Sequence, residues 1–421
     1  MTIMDPASRQ ESCDPGHTAS APTTGYVRLA DRVVVINDVR KHPDRYSSLF
    51  GRARSEVGHG ICLCRTDETV RLVIRCRVGR YHLATWPAGG HQHAPGCSWY
   101  RSPSSMSGRS TYAEAISTTD TGTAIRLSTP LTVRGAAADK PAARRAESGV
   151  VQTARRSMGL LALLHFLWES ARLNVWQPRG TPRDWRTCRT LLEEQADDCR
   201  VNQQPLTEAL WIVPPFQREH SDRINTGWER FLGALVNVGR VRRRGLVIGE
   251  IRDIEKTQYG ERIRLAHQRA PLYLSTKLMD RVRRSYPSAF SELATRSGRR
   301  QVVLCLVERS PRGYPTIVDL AAMLTNSSYL PADSSHEAEM ADALVAAGRA
   351  FVKPLHYDGT EVFPDFVLID DDPETYVEVW GVRGRESYED RKRAKQALYR
   401  AAGRTLLEWD VRGSLPPLTR D

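Results

Sequence analysis

The chain has 421 residues, 40% of them apolar, with 61 lysines and arginines against 49 acidic residues and a formal net charge of +12. That length exceeds one comfortable core and implies two or more domains, and no apolar run reaches the roughly 20 residues a membrane helix needs. The basic excess favours a polyanionic partner, although an arginine-using, GC-rich genome would account for part of it as solvated surface.

Residues Met1–Thr24 are rich in Ser, Thr, Pro and Gly, lack an apolar core and carry no targeting pattern, so 1–25 reads as a disordered tail. Residues 26–105 follow as a β domain. Val70–Val78 and Arg80–Thr85 read as a hairpin around Gly79. Cys62-Leu63-Cys64 and His93-Ala94-Pro95-Gly96-Cys97 bracket it. Three thiolates and an imidazole suit Zn²⁺, and a closed set of four ligands makes the ion structural, not catalytic. The pattern looks like a zinc-ribbon variant holding Zn²⁺ on Cys62, Cys64, His93 and Cys97. His91 is the alternative to His93, and four unrelated residues are the plainer reading. Cys76 reads as a small core residue, and Cys13, Cys188, Cys199 and Cys305 have no partners at metal spacing. Scattered cysteines without a secretion signal argue for a reducing, cytosolic setting.

Residues 106–150, rich in Ser, Thr, Gly and Ala, read as a linker with short strands. The segment 151–240 is helical. Leu160 to Trp168 is apolar on most faces, which implies burial and makes His165 a core histidine. A further helix begins near Asp184, with Thr181 as cap and Pro182 at its first position, and a short one spans Pro205 to Leu210. Residues 241–330 alternate as antiparallel strands around a helix near Thr276–Tyr286. In them Glu250 and Asp253 read as salt-bridge partners before a metal pair. Arg240–Arg244, Arg281–Arg284 and Arg296 with Arg299-Arg300 are the densest basic runs, suited to phosphate contacts.

The last segment, 331–421, carries the chemistry. Ser335 to Ala347 reads as a helix with Ser334 or Ser335 as cap and Gly348 as stop, and Phe351–Leu355 as a strand. Two further apolar runs hold Asp365 and, thirteen positions on, Glu378. If they are strands of one hairpin, two carboxylates converge as a hard-oxygen site suited to Mg²⁺. The plainer alternative makes Asp365 turn chemistry after Pro364 and Glu378 an exposed residue on an edge strand.

This arrangement resembles the core of the PD-(D/E)XK, restriction-endonuclease-like nucleases. The resemblance implies that Asp365 and Glu378 hold Mg²⁺ or Mn²⁺, and that the preceding helix brings a further carboxylate, Glu337 or alternatively Glu339. The family's lysine should stand at 380, where this chain has Trp380. In a helicase-attached branch of the superfamily that lysine comes from the next helix, in a pattern matched here by Tyr388, Lys392, Lys395 and Leu398-Tyr399. The implied catalytic lysine is Lys395, with Lys392 in reserve.

The order of motifs along the whole chain is similar to the DUF1173 family, bacterial proteins often encoded on plasmids and integrating conjugative elements. Those motifs are the two metal-site elements, Leu164–Glu169 with Asn174-x-Trp176, the Gly249-Glu250-Ile251 strand and the C-terminal hairpin. The expected fold is a multidomain α+β protein with a zinc-ribbon-like β domain, a helical middle, a β-rich domain and a restriction-endonuclease-like α/β domain. The expected function is a metal-dependent DNA endonuclease in a bacterial cytoplasm, acting on mobile-element or foreign DNA with structural zinc and catalytic magnesium or manganese. Its partners would be DNA and proteins of the mobile element, with no membrane. A DNA-binding accessory factor without turnover is the alternative, and a zinc-held protein-interaction scaffold a third reading.

Overall fold

The computed structural model describes residues 25–77, 79–119, 121–134, 156–178, 183–295, 298–357, 362–381 and 386–419. The expected tail before residue 25, the Thr181–Pro182 cap and Arg296 lie outside them. The first sheet contains β1 (Tyr26–Leu29), β2 (Arg32–Val35), β3 (Gly60–Cys62), β4 (Val70–Arg77) and β5 (Arg80–Thr85), antiparallel in the order β2-β1-β3-β4-β5. Helices α1 (Ile36–Lys41) and α2 (Ser47–Arg52) lie between β2 and β3 in the chain. Cys76 is exposed instead of buried, because it stands beside the Gly79 turn, where the β4–β5 ladder runs out into solvent.

The segment expected as a linker with short strands holds β6 (Ile116–Thr119), β7 (Gly122–Ile125) and β8 (Thr132–Arg134). Tyr112, just before them, is fully buried in the largest apolar cluster. Helix α3 (Leu160–Ser170) is buried on nearly every face, as its apolar circumference requires. His165 inside it is a satisfied core histidine, its Nδ1 2.9 Å from the His356 carbonyl. Strand β9 (Val175–Trp176) follows, then α4 (Trp185–Asp197). The cap of α4 is Asp184, whose carboxylate accepts from the Thr187 N–H at 2.8 Å. Strands β10 (Cys199–Val201) and β11 (Gln204–Pro205) extend β6 and β7 into a second sheet. The short α5 (Leu206–Ala209) leads into β12 (Leu210–Ile212).

The third sheet has eight strands. Helix α6 (Ser221–Ala234) precedes β13 (Val241–Thr257), β14 (Gly260–Leu265), β15 (Leu272–Leu274), α7 (Thr276–Ser285), β16 (Arg300–Arg309), β17 (Pro315–Thr325) and β18 (Pro331–Ala332). Its ladders are mainly antiparallel, with β12–β13 and β15–β17 running parallel. In β16, Val302, Leu304 and Leu306 face the core that contains α3, while Val303, Cys305 and Val307 face the core under α6 and α7. Burial on both faces explains the continuous apolar run in the sequence. Glu250 pairs with Arg300 at 2.9 Å and Asp253 with Arg264 at 3.1 Å, so both acids are salt-bridge partners.

The C-terminal segment runs α8 (Ser335–Ala346), β19 (Phe351–Val352), β20 (Phe366–Leu368), β21 (Thr375–Trp380), α9 (Glu386–Ala401) and β22 (Thr405–Asp410). Strands β19, β20 and β21 pair antiparallel. The α9 crossover returns β22 parallel to β21. Strand β9, from more than 170 residues upstream, completes the sheet against β19. Asn174 clamps that junction. Its carbonyl accepts from the Lys353 N–H at 2.8 Å, and its Nδ2 donates to the Lys353 carbonyl at 2.9 Å. Replacing Asn174 by Ala leaves the Lys353 carbonyl without that donor in a buried place, so urea unfolding should show a loss of about 1–3 kcal/mol. A midpoint equal to wild type would show that the clamp contributes nothing.

Candidate functional site

Antiparallel pairing sets the geometry of the acid cluster. Phe366 is registered with Val377, so one step outward Asp365 stands across from Glu378 on the same face of the sheet. Asp365 Oδ2 accepts from the Val379 N–H at 2.7 Å, which fixes its carboxylate toward β21. Glu378 is 1% exposed and lies on an interior strand, so the edge-strand reading of it does not hold.

Helix α9 crosses beside these acids and brings Lys395. Its Nζ lies 2.8 and 2.9 Å from the two oxygens of Glu378 and donates to the Phe363 carbonyl at 2.8 Å. Tyr399, one turn on, donates to Glu378 Oε1 at 2.9 Å. Lys392 instead sits over the Trp380 ring, 4.8 Å from its centroid, with Lys395 Nζ at 6.0 Å from the same ring. Trp380 is anchored through Nε1 to Glu408 at 2.7 Å. Thus an aromatic face stands at the position two residues after Glu378, and a helix supplies the ammonium.

A second ammonium was not singled out from the sequence. Lys353 is 1% exposed, and its Nζ bonds Glu337 Oε2 at 2.7 Å and Asp333 Oδ2 at 2.8 Å. The signal for it was a lone lysine in the apolar Phe351–Leu355 run. Glu337 also completes the start of α8: Ser334 Oγ accepts from its N–H at 3.1 Å, and its carboxylate accepts from the Asp333 N–H at 3.0 Å. Glu337 is buried at the cluster, whereas Glu339 is exposed.

The charges shift one another. Burial would pull the Lys353 ammonium down, but the charges of Asp333 and Glu337 outweigh it and raise it. Burial pushes Glu337 up to about 7, against Lys353, with Asp365 adding to the rise. Burial also pushes Asp365 up to about 6, opposed by Lys353 and reinforced by Glu378. Glu378 is raised by burial in spite of Lys395. Burial outweighs the positive charge beside each of these carboxyls, and carboxylate oxygens are hard donors of the kind a dication takes.

The amino-terminal cluster is tighter. Cys62 Sγ lies 3.6 Å from Cys97 Sγ, and His93 Nδ1 lies 3.5 Å from both Cys64 Sγ and Cys97 Sγ. These four ligand atoms all fall within 4.8 Å of one another, and the group could hold a metal ion such as zinc. His91 is exposed and outside the group. Hydrogen bonds from Cys62 and then Cys97 hold the Cys64 thiol below its usual range. The β4–β5 hairpin lies between the ligand pairs, and Cys62 and Cys97 are part of the first sheet's core.

The buried ammonium yields a direct test. Lys353→Met strands Glu337, with Asp333 (50% exposed) partly screened by water. Breaking a buried pair from one side costs about 3–5 kcal/mol. A carboxyl with a raised folded-state pKa favours the fold at low pH and loses this contribution as pH rises toward that pKa; Glu337 stands at about 7 with Lys353 beside it, and removing the ammonium, which lowers it, raises it further. The deficit of Lys353→Met, read by denaturant unfolding, should therefore be larger at pH 8.5 than at pH 5.5. An equal deficit at both pH values would exclude Glu337 as the stranded group.

Among the described residues, no helix is long and apolar enough to cross a membrane. No curated protein and no solved structure matches the chain. A family profile described as "Protein of unknown function (DUF1173)" matches residues 35–410. The match takes in both the Cys/His cluster and the acid cluster, and the chain belongs to the DUF1173 family.

Proposed function

We propose that the C-terminal unit is a metal-dependent DNA endonuclease of the PD-(D/E)XK type, with Asp365 and Glu378 as ligands for Mg²⁺ or Mn²⁺ and Lys395 as the catalytic lysine. The observation that carries this reading is the Lys395 ion pair with Glu378, directly across from Asp365, although Trp380 occupies the strand position. When bound, the cation would lower the pKa of a coordinated water and neutralise charge on the scissile phosphate. Lys395 and Tyr399 hold the Glu378 carboxylate in one orientation, and the Val379 N–H does the same for Asp365. The Lys395 ammonium is then placed to orient the attacking water or to stabilise charge on the phosphorus oxygens. Glu337 acts through Lys353, whose charge reaches Asp365. In this proposal the protein works in a bacterial cytoplasm on mobile-element or foreign DNA, beside proteins of the element.

One observation favours a second reading. Glu378 has both oxygens engaged by Lys395 and one also by Tyr399, a self-sufficient network that needs no metal. On that reading the unit is a DNA-binding accessory factor without turnover. Supercoiled plasmid with Mg²⁺, Mn²⁺ or EDTA separates the two. Metal-dependent nicking should fall roughly 100-fold or more in Glu378→Gln, Asp365→Asn and Lys395→Ala. Salt-sensitive binding without nicking in the wild type would select the accessory factor.

We also propose that Cys62, Cys64, His93 and Cys97 bind a structural zinc ion in a zinc-ribbon-like domain. Purified protein should contain about one zinc per chain by elemental analysis, and Cys97→Ser should lose it and lower the thermal midpoint. Background zinc in the wild type, after refolding with added Zn²⁺, would remove the assignment.

A further inference from the structure

An open cleft of about 1610 Å³ is lined by the edge strand β5, the loop after it, α3 and α4. It exceeds the roughly 300–1,000 Å³ of small-molecule sites. Its arginines differ from those of the basic runs seen in the sequence. Arg244, Arg281, Arg283, Arg299 and Arg300 are each spent on a carboxylate: Glu308, Asp319, Glu261, Asp342 and Glu250. In the cleft, Arg101 donates to the carbonyls of Ser98, Tyr100 and Ser170. Arg109 donates to Thr118 Oγ1 at 3.1 Å and lies 5.0 Å from the Phe166 ring centre. Arg40 lies 5.2 Å from that of Trp99. Among the described residues none of these three makes an ion pair with a carboxylate.

Two acids of the cleft feel these arginines, Glu194 beside Arg40 and Glu169 near Arg109 and Arg101, and neither forms an ion pair with them. Glu169 is buried, accepts from Ser107 Oγ at 2.7 Å and Tyr357 OH at 3.0 Å, and is pushed up by burial. Arg101 feels Arg172, Arg109 and Arg40 as like charges, and burial with this crowding pulls it down to about 9. Elsewhere in the cleft Arg75 pairs with Asp198 at 2.5 Å, and the same carboxylate lies 2.9 Å from His82 Nε2. Positive charge is thus concentrated at the Arg40, Arg101 and Arg109 end. The half-buried Trp86 lines the same cleft, with Arg71 over its ring at 5.8 Å.

We infer that this cleft binds single-stranded nucleic acid, with Arg40 and Arg109 on phosphates, Arg101 adding positive charge behind them and Trp86 stacked on a base. Guanidiniums without a carboxylate ion pair, beside the half-buried Trp86 indole, suit a strand whose bases are free to stack, whereas a duplex keeps its bases inside. Asp365, Glu378 and Lys395 do not line the cleft, so the inference stands apart from the cleavage reading.

The test is fluorescence anisotropy of the full chain in EDTA. The probes are labelled single-stranded DNA and RNA of about 15 nucleotides, a duplex of equal length, and unlabelled dTMP as competitor. Single strands should bind with a steep salt dependence. Arg40→Ala, at an exposed position, and Arg109→Ala should each weaken binding about tenfold and flatten the salt slope by about 0.7. Trp86→Ala should weaken it by about fivefold or more, while Arg284→Ala and Glu378→Gln should match wild type. A preference for DNA or for RNA names the strand chemistry and supports the inference either way. A duplex bound as tightly as a single strand, dTMP competing as well as the oligonucleotide, or unchanged affinity in the Arg40 and Trp86 variants would overturn it. Binding lost in Glu378→Gln would place the strand at the C-terminal cluster and overturn it as well.

Discussion

A buried ammonium constrains this fold more than any other group. Lys353 is 1% exposed, and a lysine at that depth stays charged only with carboxylates at contact distance. Asp333 and Glu337 provide them from the turn before α8 and its first turn. Its backbone is pinned on both sides by Asn174, next to β9. Its ammonium also lies 5.6 Å from the Phe366 ring centre, on the strand that follows Asp365. One residue therefore ties α8, β9, β19 and β20 together, and moving α8 away would leave its charge unpaired.

That constraint explains why the acids beside it are poised as they are. The charge of Lys353 favours the ionised form of both Glu337 and Asp365, yet burial still holds both carboxyls above their usual range. Lys395 does the same for Glu378 from the other side. The result is two ammoniums, Lys353 and Lys395, among four carboxylates, Asp333, Glu337, Asp365 and Glu378. A site of this kind gains from a bound cation or from the loss of a proton acceptor's charge, and the first is the chemistry proposed for it.

Much of this was legible in the sequence where the geometry is local. Asp365 and Glu378 read as a pair because a short hairpin with period-two alternation can bring them together. Lys395 and Tyr399 are four residues apart on one helix, so both reach the same carboxylate. The cap at Ser334 and the Cys/His spacing are local in the same way. Lys353 and Asp333 were not assigned a role, since nothing in their own neighbourhoods announces a partner 16 or 20 residues distant. Strand β9 was hidden for a stronger reason: two residues carry no periodicity, and their partner lies far along the chain. The basic runs show a limit of the same kind: Arg244, Arg281, Arg283, Arg299 and Arg300 are paired with carboxylates distant in the chain. Density of arginine in sequence says nothing about whether a carboxylate waits across a strand, as Glu308 does for Arg244.

The two clusters are also less separate than their positions in the chain suggest. Residues of β9 and β19 alternate between two cores: Trp176 and Phe351 enter the core under α8, while Val175 and Val352 join the core that holds Cys62 and Cys97. Val352 is the residue before Lys353. A metal at the Cys/His cluster would therefore stiffen the very core on which the Lys353 strand rests, through packing alone and without any contact to the acids. Interiors packed to crystal-like density transmit such displacements. The amino-terminal module and the acid cluster thus meet through one pair of strands, with Val175 and Val352 packed in the core of the former and Trp176 and Phe351 in that of the latter.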